Sequence, residues 1–139
     1  MKTSPTQRSL ALARKQGYTC QVVERWNSFA KVRQDLFGFI DIVCVHPMED
    51  IKGVVGIQTT TRANMLARIQ KIQAEQKAVH WLNAGGKITV HGWSKKGKRG
   101  EVKRWVVDWC FLGLDGNNHI VILEQGGEHE AGQNKSKSL

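Results

Sequence analysis

Two apolar runs of strand length stand close together in the middle of this chain, and they limit its possible folds more than any other feature. Phe39-Ile-Asp-Ile-Val-Cys-Val45 is closed by His46-Pro47, and Val54-Val-Gly-Ile-Gln-Thr-Thr60 follows a turn over residues 48–53. Runs this apolar predict strands covered on both faces by other elements, not a sheet with one face in water. Thr61 then suits the cap of a helix running to Glu75 and on through residues 76–83, until Ala84-Gly85-Gly86 breaks it. Met65, Leu66, Ile69 and Ile72 form its buried stripe. Residues 87–93 read as the next strand, and a helix between two strands allows a parallel return.

The flanking segments complete one domain. Ser4 and Pro5 open a short helix that Gly17 ends, and residues 18–23 read as a first strand stopping at Glu24-Arg25-Trp26. Residues 27–37 read as a polar connection. Beyond the central elements, residues 94–100 (SKKGKRG) read as a basic, flexible hairpin tip, and residues 102–112 and 119–124 as closing strands. The expected fold class is α/β, a single domain over residues 1–124 with a mixed central β-sheet flanked by helices. Residues 125–139 are expected to form a flexible C-terminal tail.

Composition removes several classes of function. No stretch reaches the roughly 18 apolar residues of a membrane span, and no N-terminal apolar block resembles a secretory signal. Three cysteines (Cys20, Cys44 and Cys110) without CxxC or Cys/His spacing argue against a disulfide framework or a structural zinc. A cytoplasmic location, the host's for a phage-encoded chain, is the expectation. Lys and Arg number 21 against 12 Asp and Glu, a net charge of +9. A field of that sign concentrates polyanions, so nucleic acid is the predicted partner and a membrane is not.

Asp41 is the most informative position. It interrupts an apolar strand, where an unpaired carboxylate costs several kcal/mol. A metal ion, a basic side chain or a place at the open end of the strand would compensate. Gln58 and Thr60 lie two apart on the next strand and share a face. If Asp41 pairs near Gln58, then Asp41, Gln58, Thr60 and the backbone carbonyl of Thr59 converge as oxygen ligands suited to Mg²⁺ or Mn²⁺. The helix after Thr61 adds Arg62, Arg68 and Lys71, which can bind phosphate.

An acid on one strand, a Gln-x-Thr triplet on its neighbour and a basic helix after it resemble the PD-(D/E)XK nuclease superfamily. The segments Arg33-Gln-Asp-Leu-Phe-Gly-Phe-Ile-Asp41 and Gly56-Ile-Gln-Thr-Thr60 are similar to small phage-type, Holliday-junction-resolvase-like members. The resemblance covers residues 5–92 and implies a restriction-endonuclease-like core in the order αβββαβ. It implies Asp41 as the central metal-binding carboxylate, Gln58 where the family usually has Glu, and Thr60 where it usually has Lys. Glu24 becomes a candidate upstream acid, and Asp35 a further acid of the same segment. The implied activity is metal-dependent hydrolysis of DNA phosphodiesters, with branched DNA as substrate and a homodimer as the working form. The Gln58 and Thr60 departures leave an alternative, a catalytically inactive DNA-binding module on a nuclease-like fold. A basic assembly protein is a third reading.

The remaining signals are less specific. Lys95, Lys96, Lys98 and Arg99 form the densest basic cluster and are candidate DNA contacts. Trp93, Trp105 and Trp109 can stack on bases, although tryptophans in strands more often pack in cores. No nucleophile elbow or Walker-type loop is present, so neither a serine triad nor a nucleotide cofactor is expected.

Overall fold

The computed structural model describes residues 3–127. Ser4 caps helix α1 (Pro5–Lys15), its side chain accepting from the Gln7 N–H at 3.1 Å. Strand β1 (Thr19–Val22) follows, then two short strands, β2 (Arg25–Asn27) and β3 (Val32–Gln34), and the apolar pair β4 (Ile42–Val45) and β5 (Val55–Thr61). Thr61 does act as a cap, accepting from Asn64 N–H at 3.3 Å, and one 3-10 turn at Arg62–Asn64 leads into α2 (Met65–Gln73). Helix α3 (Gln76–Asn83) and strands β6 (Lys87–Lys96), β7 (Arg104–Leu114) and β8 (Ile120–Gly127) complete the chain as described.

Six strands form one mixed sheet in the order β1-β4-β5-β6-β7-β8, antiparallel throughout except for the parallel β5–β6 pair. That parallel step needs a long crossover, and α2 with α3 supplies it. Alternation along the strands gives two cores. Ile42, Cys44, Val55 and Ile57 meet Leu10 and Ala13 of α1 on one face. Ile88, Val90, Cys110 and Leu112 meet Ile69, Ile72 and Ala78 on the other. Residues Val55 to Thr60 of β5 are all buried, as a strand covered on both sides must be. The result is a single mixed α/β domain, with three α-helices among the described residues. None of these helices is long and apolar enough to cross a membrane.

Four expectations are corrected. Residues 27–37 are not a plain connection: β2 and β3 pair antiparallel as a separate two-stranded sheet. The long helix after Thr61 is two helices, because Glu75 turns extended (φ −96°, ψ 111°) and caps α3 by accepting from Lys77 N–H. The first of the two apolar runs becomes strand only at Ile42. Phe39 and Ile40 before it lie in a tight turn, where Phe37 (φ 56°) and Gly38 (φ 84°) are left-handed and Leu36 bridges back to Ile40. Strand β8 runs to Gly127 and pairs residues 125–127 with Cys110, Trp109 and Asp108, so only residues 128–139 of the expected tail remain, and these lie outside the described residues. The three cysteines are free, with Cys20 directly opposite Cys44 on β1 and β4 and their sulfurs 2.9 Å apart.

Ile72 is fully buried under the sheet, whereas Leu66, which the sequence puts on the same stripe, is 62% exposed. Ile72→Ala is expected to cost about 2–5 kcal/mol in urea unfolding. Leu66→Ala should stay within about 0.5 kcal/mol.

Candidate metal centre and its cleft

Asp41 sits immediately before β4 and is 3% exposed. The β4–β5 register pairs Ile42 with Ile57, which sets Asp41 opposite Gln58. One carboxylate oxygen, Oδ2, accepts three hydrogen bonds: from Gln58 Nε2 at 2.8 Å, Thr59 N–H at 2.8 Å and Thr59 Oγ1 at 3.1 Å. Thr59 is braced in turn by Thr6 of α1, whose hydroxyl lies 2.8 Å from its own. Thr59 thus meets Asp41 through its N–H and hydroxyl. Thr60 lines the same cleft but makes no hydrogen bond to Asp41.

The β2–β3 hairpin brings two more acids to this point. Its register pairs Arg25 with Gln34, so the next positions outward are Glu24 and Asp35. The left-handed turn after Asp35 then returns the chain to Asp41. Carboxylate oxygens of Glu24, Asp35 and Asp41 all lie within 4.8 Å of one another. Gln58 Nε2 also reaches Asp35 Oδ2 at 3.4 Å, and Gln58 Oε1 is buried without a hydrogen-bond partner.

Oxygen donors clustered this tightly fit a hard divalent cation such as Mg²⁺ or Mn²⁺. The orphaned Gln58 oxygen is the sharper test of that fit. Without a cation the amide can only offer its NH₂ to the acids, which strands its oxygen in the interior at a cost. A cation between the carboxylates removes the need for that donor and gives the oxygen a partner.

Burial, first, pushes the Asp41 carboxyl up to about 8. The hydrogen bond and negative charge of Asp35 add to the rise, Glu24 adds a further contribution, and the Thr59 N–H opposes it. The cluster opens into a cleft of about 880 Å³. Asn64, Arg68 and Lys71, at steps of four and three, line one wall, and Arg33 and Lys77 also border it.

Several predicted contacts fall elsewhere. Arg62, two residues and more than half a helical turn from Asn64, points away from the cleft and is held by Asp108. Lys95, Lys96, Lys98 and Arg99 lie at the β6–β7 end, outside the residues that line the cleft. Trp93 and Trp109 are buried. Trp105 is covered by Arg8, whose guanidinium lies 3.3 Å from its ring centre, with Lys95 at 5.6 Å. Sequence reasoning missed Arg33, Asn64 and Lys77 as cleft residues. Asn64 alone carried a signal, since it shares the helical face of Arg68 and Lys71.

Comparison with family models, curated proteins and solved structures gives no match.

The raised Asp41 predicts how stability depends on pH without metal. The folded state binds an extra proton between the ordinary value of 3.8 and about 8, so stability falls as pH rises through that window. His91, fully buried and lowered from 6.5 to about 4, acts oppositely: its contribution makes stability rise between those two values. The two effects offset each other below pH 6.5 and leave Asp41 alone above it. In EDTA the melting temperature should therefore drop between pH 6.5 and 8.5. Asp41→Asn should flatten that drop, and Mn²⁺ should reverse it in the native sequence.

Proposed function

We propose that this chain is a metal-dependent DNA endonuclease built on a restriction-endonuclease-like core, acting on branched DNA such as a Holliday junction and working as a homodimer. The observation that carries the reading is the three-carboxylate cluster of Glu24, Asp35 and Asp41 at the base of a cleft with basic walls. The sheet supports it as well. With the β2–β3 hairpin set aside as an insertion, α1, strands β1, β4 and β5, helices α2 and α3 and the parallel strand β6 follow the order the resemblance implies.

Asp41, Asp35 and Glu24, with the Gln58 amide oxygen, would hold Mg²⁺ or Mn²⁺. When bound, such an ion supplies a water of lowered pKa and a Lewis acid for the phosphoryl oxygen. Thr59, backed by Thr6, holds Asp41 in orientation. Thr60 is buried and neutral, so the positive charge that the family's lysine gives comes here from Arg68 and Lys71. These side chains bind the scissile phosphate and offset the charge that develops on it.

One observation favours the inactive DNA-binding module instead: the Gln58 NH₂ already bridges Asp41 and Asp35, as a permanent replacement for a cation would.

Cleavage of a four-way junction and a linear duplex with Mg²⁺, Mn²⁺ or EDTA separates the two readings. The nuclease should cut only with the ion, prefer the junction and lose activity in Asp41→Ala. Binding of both DNAs without cutting under any ion would leave the binding module. Arg68→Ala or Lys71→Ala should each lower the salt slope of DNA binding by about one. Arg62→Ala should leave that slope unchanged.

A further inference from the structure

The β2–β3 hairpin stands apart from the main sheet and carries its aromatic side chains outward. Trp26 is 58% exposed and Phe29, at the tip, is fully exposed. The tip is not loose. Asn27 Oδ1 accepts from both the Phe29 and Ala30 N–H groups at 3.0 Å, and Lys31 (φ 55°) takes the left-handed position that closes the turn. A rigid turn that presents a bare aromatic ring to water gains nothing for folding. A shallow concavity of about 250 Å³, lined by Arg25, Trp26, Asn27, Ser28 and Gln34, lies along its side.

Charge selects the occupant. Residues 25–34 contain Arg25, Lys31 and Arg33 and no acidic residue, in a chain of net charge +9. Aromatic rings interleaved with cations on a small projecting element suit bases stacked beside a phosphate backbone. Of the other tryptophans, Trp93 and Trp109 are buried, Trp81 is half-buried with its ring N–H donated to the Lys87 carbonyl, and Trp105 carries Arg8 over its ring. The base of the same hairpin is Glu24 and Asp35.

We propose that this hairpin is a base-stacking element, with Phe29 and Trp26 as its contacts, and that the substrate is DNA with unpaired or unstacked bases a few nucleotides from the cleaved phosphate. The inference rests on the nuclease reading and names its substrate class. It also sets a distance. From Glu24 to Asn27 is three strand residues, about 10 Å at 3.3 Å per residue. At 3.4 Å per nucleotide on one strand, the stacked base lies roughly three nucleotides from the cut.

The test measures affinity in EDTA for a plain duplex and for the same duplex with a central unpaired bubble. The native protein should prefer the bubble. Phe29→Ala and Trp26→Ala should each lose roughly 5- to 150-fold on the bubble and little on the duplex. Phe29→Trp should retain the preference. With Mn²⁺, cuts should map about three nucleotides from the bubble edge. Equal affinity of the native protein for both DNAs, or Phe29→Ala binding the bubble as tightly as the native chain, would overturn the stacking role. If metal-dependent cutting of duplex persisted in that case, the nuclease reading would survive and the exposed aromatics would belong to a protein contact. Failure to bind either DNA would overturn both.

Discussion

The arrangement depends on a buried carboxylate whose hydrogen-bond partners, among the described residues, are neutral donors and not a cationic side chain. Asp41 is tolerated where β4 begins because the Thr59 N–H, the Thr59 hydroxyl and the Gln58 amide all donate to one of its oxygens. Each of those donors is fixed by something larger. The Thr59 N–H is held by the β4–β5 register, its hydroxyl by Thr6 at the start of α1, and Gln58 by a strand buried on both faces. Helix α1 is therefore part of the site, although it contributes no acid. Asp41 also faces two further carboxylates, and burial with that repulsion raises its proton affinity. On the metal-dependent reading proposed above, one cation would relieve desolvation, repulsion and the stranded Gln58 oxygen together.

What the sequence made legible follows from how strongly each element is buried. The central strands, the α1 cap and the Thr61 cap were readable because long apolar runs and capping residues leave local marks. The pairing of Asp41 with Gln58 was readable too, since two apolar runs joined by a short turn have few registers that keep both cores closed. The helix break at Glu75 was not, because residues 61–83 keep a continuous helical period. Glu75 is a sound helix former that here serves as a cap. The hairpin was invisible for the opposite reason: its strands are three residues long and almost wholly exposed, so they carry no alternation of apolar and polar positions. Glu24 and Asp35 entered as candidate acids only through the family resemblance, since no spacing in the sequence groups them. That Arg62 lies outside the cleft was not legible, because its basic type carries no sign of its angle around the helix.

The hairpin ties these points together. Glu24 and Asp35 are eleven residues apart in sequence and become neighbours only because Arg25 pairs with Gln34, Trp26 with Arg33 and Asn27 with Val32. A two-stranded ribbon of three pairs has little stability of its own. At one end it is held by the Asx turn of Asn27, and at the other by the turn that bridges Leu36 to Ile40. The same three pairs that close the acids around Asp41 also fix where Phe29 stands relative to them. A ligand at the tip and a cation among the carboxylates would therefore rest on the same three pairs. A site built only from Asp41 and its β5 partners would have no such connection, because those residues are locked into the main sheet.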